Sequence, residues 1–173
     1  MLLDLAKASV EVAKEIQKAS KSVSHLPSEI TVPFDQPVLL HSLFLNTRGY
    51  IEKVVFQINR TYTSSSYDAC AVMIRRLIET LIIEAFEHIG EAAKIKNSNG
   101  DYLYLQDLIG VAASETKWQL GRNTKNGLIN LKGIGDQSAH SRRYNARRSY
   151  IDDVIVDLRT VAEKFLYLAG LRK

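Results

Sequence analysis

Proline is nearly missing from this sequence. Its three prolines, Pro27, Pro33 and Pro37, are confined to one short stretch. Beyond Pro37 no ring clash or lost amide donor interrupts a helix, which points to an all-α fold. Cysteine is scarcer still. Cys70 stands alone, so an internal disulfide is excluded. Its place in an apolar helical pattern marks a buried core residue rather than a reactive thiol. No CxxC or HxxxH spacing points to a metal, and no cofactor is expected. No stretch approaches the ~20 apolar residues of a membrane helix. The opening MLLDLAKAS carries Asp4 and no long apolar run, unlike a signal peptide. A cytoplasmic protein without a membrane partner is the expectation.

What is present is ordinary globular material. The chain has 173 residues, 46% hydrophobic and 24% charged, enough for one domain with a real core. The net charge of +4 is modest, yet it is local. Ser141–Tyr150 (SRRYNARRSY) holds Arg142, Arg143, Arg147 and Arg148 and no acid, so this one segment carries as much net charge as the whole chain.

Helical periodicity organises most of the rest. Leu2, Leu5, Val12, Ala13, Ile16 and Ala19 predict an amphipathic helix over 2–21. Residues 22–41 read as an extended connector, with Ile30–Phe34 as either a short strand or a surface-packed segment. The division expected is 1–45, helix and connector, and 46–173, helical domain. In the second part, Ile51, Val54, Val55, Ile58 and Tyr62 predict a helix over about 47–62. Ser64–Ser66 break it, and Ser65-x-x-Asp68 resembles a capping box for the next helix. That helix buries Cys70, Met73, Ile74, Leu77, Leu81, Ala85 and Ile89, and Gly90 stops it. Two long helices joined by so short a link pack antiparallel.

Residues 91–100 read as a polar loop, and Asp101 as the cap of a short helix carrying Leu105, Leu108, Ile109 and Ala112. A piece containing Trp118 precedes a helix over about 122–133. Gly133 and Gly135 are expected to end regular structure and turn the chain before Asp136–His140. The last helix opens at Ser149-x-x-Asp152 and runs to Gly170.

Four groups carry candidate chemistry. Arg75 and Glu79 are spaced to pair across one helical turn, with Arg76 beside them. They form either a surface ion pair or an anion-binding arginine held by its carboxylate. His140 follows the two glycines, where it either caps a turn or is presented for function. Asp136 is spaced to orient its imidazole. Arg142, Arg143, Arg147 and Arg148, interleaved with Tyr144 and Tyr150, read as a solvated face or as a phosphate-binding, base-stacking surface. Arg122, Asn123 and Lys125 read as an exposed loop or helix start.

The combination of SSSYDACAVMIRRLIETLIIEAFE, then LINLKGIGDQSAH, then a long terminal helix resembles the HEPN superfamily (higher-eukaryote and prokaryote nucleotide-binding). It is most similar to a poorly characterised prokaryotic branch found alone or attached to restriction and defence proteins. That branch pairs an Arg-Arg-x-x-Glu helix with a Gly-(Asn/Asp)-x-x-Ala-His turn. Arg75-Arg76-Leu77-Ile78-Glu79 and Gly135-Asp136-Gln137-Ser138-Ala139-His140 match these. The resemblance covers residues 47–171.

It implies an HEPN-like bundle of four to five helices, here with an extra N-terminal helix and connector, acting as a homodimer. It also implies RNA or nucleotide binding and, in many members, metal-independent endoribonuclease activity in defence or toxin-type systems. His140, Asp136, Arg75, Arg76 and Glu79 would then form the catalytic group, and Arg142, Arg143, Arg147, Arg148 and Tyr144 the nucleic-acid surface. The superfamily's Arg-x(4–6)-His motif needs arginine at position 133, 134 or 135, where Gly133, Ile134 and Gly135 stand. The alternative function is a non-catalytic helical dimerisation or adaptor module with a protein partner.

Overall fold

The computed structural model describes residues 37–172. The helix expected over 2–21 and the segment Ile30–Phe34 lie outside the described residues. Five helices of ten residues or more make up most of the described chain: α1 (Gly49–Thr63), α2 (Tyr67–His88), α3 (Leu105–Ser114), α4 (Arg122–His140) and α6 (Ile155–Leu168). A short α5 (Arg148–Asp152) precedes α6. Among the described residues there is no strand beyond a single bridge between Lys96 and Tyr102. The fold is an all-α bundle, as the absence of proline implied.

The central helix α2 packs against α1, α4 and α6, and more lightly against α3. Its apolar residues are spread around most of its circumference, and Cys70, Ala71, Ile74, Leu77, Ile78, Leu81, Ile82, Ala85 and Phe86 are all buried. Each large side chain among them stabilises the fold by roughly 1.5–3 kcal/mol on burial. α1 and α2 form the expected antiparallel hairpin: Arg48 and Tyr50, at the start of α1, bond Glu84 near the end of α2. Trp118 closes the other side of the core, edge-on to both Phe86 and Phe165, and its indole N–H donates to Ala112 O at 3.0 Å. The end of the connector and the residues just after it also join the core. Val38, Leu39 and Phe44 are fully buried, and Arg159 of α6 donates to the Val38 and Pro37 carbonyls.

The helix ends depart from the expected chemistry. Ser65 lies at φ +59° and finishes α1 rather than starting α2. The Ser66 N–H reaches Thr61 O and the Ser65 N–H reaches Tyr62 O, closing the last turn. Neither Ser65-x-x-Asp68 nor Ser149-x-x-Asp152 forms a capping box, because both aspartates bond other elements. Asp101 does not cap α3 either; it is tied to Asn97, and the N-cap position falls on Tyr104. Gly90 and Gly170 do terminate α2 and α6, both at positive φ. The segment 91–100 is more than a polar loop, since a 3-10 turn over Ala92–Ile95 buries Ile95.

Two larger differences concern the C-terminal half. The terminal helix is broken between α5 and α6, where the Val154 N–H bonds Ile151 O. The apolar pattern reads through this break because Ile151 and Leu158 are buried on either side of it. Second, α4 does not stop at Gly133. It runs unbroken through Gly133 and Gly135 to His140. Both glycines serve as helical residues. An added Cβ on Gly135 would stand 2.6 Å from Arg75 Cβ, so glycine there lets α2 and α4 approach closely. Gly127 does the same towards α6, where a Cβ would stand 3.0 Å from Val161 Cγ2.

Candidate functional site

The close approach at Gly135 brings the two halves of the sequence pattern together. Arg75 on α2 donates from Nε to Asp136 Oδ1 on α4 at 2.8 Å, across 61 residues of chain. The other Asp136 oxygen takes Lys132 Nζ at 2.5 Å from one turn earlier in α4. Arg75 also faces Glu79, Nη1 to Oε2 at 3.6 Å, as the spacing predicts. Partial burial raises the Asp136 carboxyl, but the hydrogen bonds from Lys132 and Arg75 outweigh it and leave the group below its ordinary value. Arg76 stands exposed on the same helix.

This geometry changes the expected role of Asp136. Its carboxylate partners are Arg75 and Lys132, and it is not hydrogen-bonded to His140. The bond from α2 to α4 makes it an interhelical tie. His140 is the final residue of α4 and is exposed. It does not cap a turn after Gly135, because the helix continues there. The Ser141 N–H closes the helix on Gln137 O at 3.0 Å.

The arginine segment follows at once. Arg142, Arg143, Arg147 and Arg148 are all exposed. Among the described residues no carboxylate pairs with Arg142, Arg143 or Arg147. Arg148 differs: its Nε lies 3.6 Å from Asp152 Oδ2 and 3.1 Å from the Tyr62 hydroxyl, with the guanidinium 5.4 Å from the Tyr62 ring centre. Tyr144 and Tyr150 stack at 6.0 Å with 22° between planes, and Tyr144 is half-buried. Tyr62, Tyr67, Tyr144 and Tyr150 therefore gather at the hairpin end of the bundle, next to the arginines.

Three contributors escaped the sequence reading. Lys132 and Asp152 each sit four residues from a partner, so the pairs with Asp136 and Arg148 carried a local signal. Asp68 carried none. Its Oδ1 accepts the Ala146 N–H at 3.0 Å from 78 residues away. Arg122, Asn123 and Lys125 begin α4, as one of their two readings had it.

Elsewhere, buried Glu115 accepts the Lys117 N–H and the Lys94 ammonium, which together hold its carboxyl down at about 2. Burial pushes the Cys70 thiol up to about 12, so it is an inert core group. Among the described residues no cluster of three or more His, Cys, Asp or Glu could hold a metal, and no helix is long and apolar enough to cross a membrane. No protein-family model, curated protein or solved structure matches the chain.

Proposed function

We propose that this chain is an HEPN-like RNA- or nucleotide-binding domain of a defence or toxin-type system, and that it binds through the segment from Arg142 to Tyr150. The observation that carries the reading is the arginine segment itself. It is exposed, it holds charge equal to the chain's whole net charge, and three of its arginines have no carboxylate partner among the described residues. Guanidinium groups suit phosphates, and adjoining tyrosines offer faces to unpaired bases.

Binding is favoured over cleavage. Position 133, 134 or 135 would have to supply the superfamily's arginine, and Asp136 is committed to Arg75 and Lys132. In an endoribonuclease of this kind, His140 would perform the proton transfers while the RNA's own 2′-OH attacks the phosphate. Arg75, Arg76 and Glu79 belong to the same expectation. What supports them is the Arg75–Asp136 bond, which joins α2 to α4 one turn before His140.

A second reading, a homodimeric adaptor with a protein partner, is favoured by a separate observation. Ile129 on α4 and Val156 on α6 are 62% and 73% exposed. Asn130 and Asp157, their chain neighbours, bond each other at 2.8 Å.

The test is RNA binding by the parent and by a variant with Arg142, Arg143, Arg147 and Arg148 all changed to Gln, in excess chelator. The parent should bind single-stranded RNA, and the variant should lose that binding while remaining folded, because the contacts it loses, those of Arg148 with Tyr62 and Asp152, are exposed. In the same assay, His140→Ala should bind as the parent does. Equal binding by the quadruple variant would overturn the reading.

A further inference from the structure

We infer that Asp68 is a positioning residue: its carboxylate, on the first turn of α2, holds the arginine segment in the conformation that meets RNA. This inference rests on the RNA-binding reading above. The observation is the bond from the Ala146 N–H to Asp68 Oδ1 at 3.0 Å, between residues separated by 78 positions. Ala146 lies between the two arginine pairs, so one carboxylate fixes the backbone immediately before Arg147.

A second tie stands just beyond. The Tyr62 hydroxyl donates to Asp152 Oδ1 and accepts from Arg148 Nε, fastening both ends of α5 to the end of α1. The segment is therefore anchored by α4 behind it, Asp68 in its middle and Tyr62 ahead of it. Arg142, Arg143 and Arg147 belong to a segment tied at three points, once through the Ala146 backbone and once through the side chains of Arg148 and Asp152. A surface held in one conformation binds more tightly than the same charges on a free loop, because less ordering remains for the binding step.

Electrostatics alone makes the opposite forecast. Asp68 is an acid beside a cationic surface, so removing it strengthens the local positive field and favours RNA. The sign of the effect therefore separates the two accounts. Asp68→Ala removes both the charge and the acceptor. Asp68→Asn removes the charge and keeps an oxygen that can accept the Ala146 N–H.

The experiment compares the parent, Asp68→Ala and Asp68→Asn for binding to a fluorescent single-stranded RNA, with tryptic cleavage after Arg142, Arg143 and Arg147 followed in the absence of RNA. Asp68→Ala should bind about fivefold more weakly, as when the competent fraction falls to about one fifth, and its arginine segment should be cut faster. Asp68→Asn should bind at least as tightly as the parent and be cut at the parent's rate. Should Asp68→Ala fail to fold, Ala146→Pro deletes the same donor while leaving α2 untouched and should show the same loss. Binding by the donor- or acceptor-deleted variant that equals or exceeds the parent's overturns the inference alone. So does an Asp68→Asn variant as weak as Asp68→Ala. A parent that binds no RNA overturns the RNA-binding reading first, and this inference with it.

Discussion

Each oxygen of the Asp136 carboxylate faces a cation, Arg75 from α2 and Lys132 from within α4. Glu115 is held in a comparable way, by the Lys117 amide and Lys94. Both groups ionise more readily in the folded chain than an ordinary carboxyl does. A carboxyl lowered by folding contributes stability that is full above its unfolded value and is lost as pH falls through the folded one. For Glu115 that window runs from 4.5 down to about 2. Urea unfolding across this range should show stability falling with pH, and Glu115→Gln should make the fall shallower. A Glu115→Gln chain with the parent's pH dependence would contradict the assignment. Cys70 adds nothing to this slope, since its thiol stays protonated throughout.

Along the elements, the two glycines of α4 have opposite meanings. Gly133 has open space where a Cβ would stand, whereas Gly135 lies against Arg75. Glycine in a helix interior costs about 1 kcal/mol relative to alanine. Gly133→Ala should therefore raise stability by about 1 kcal/mol. Gly135→Ala should lower it by about 1–3 kcal/mol, because Arg75 Cβ and the α2 backbone must shift. Denaturant midpoints decide this, and two substitutions with effects of the same sign would refute it. The sequence could not distinguish these positions. Both break the helical pattern locally, and only the neighbouring helix tells which one needs the absent side chain. The buried faces of α1, α2, α3 and α6 were legible because periodicity survives any arrangement of neighbours. The C-terminal end of α4 and the break after α5 were not, because tertiary contacts made across the bundle override local stop and cap signals. In the site, Arg75 with Glu79 was legible as an i,i+4 pair. The Arg75–Asp136 and Asp68–Ala146 bonds were not, because nothing in local spacing encodes contacts 61 and 78 residues apart.

At the scale of the whole molecule, the charge is distributed unevenly. Ser141–Tyr150 contributes +4, equal to the net charge of the full chain, so the remaining residues balance. An anionic polymer therefore meets a locally cationic surface on a chain that is neutral elsewhere, and arginine–phosphate contacts should dominate its binding. The measurement that tests this most directly is the salt dependence of single-stranded RNA binding by the purified parent chain. Three or four arginines that displace counterions give a slope of about −2 to −3 in log K against log salt. The account predicts that slope, together with loss of binding in the quadruple glutamine variant at every salt concentration. No binding at low salt, or binding indifferent to salt, would contradict it.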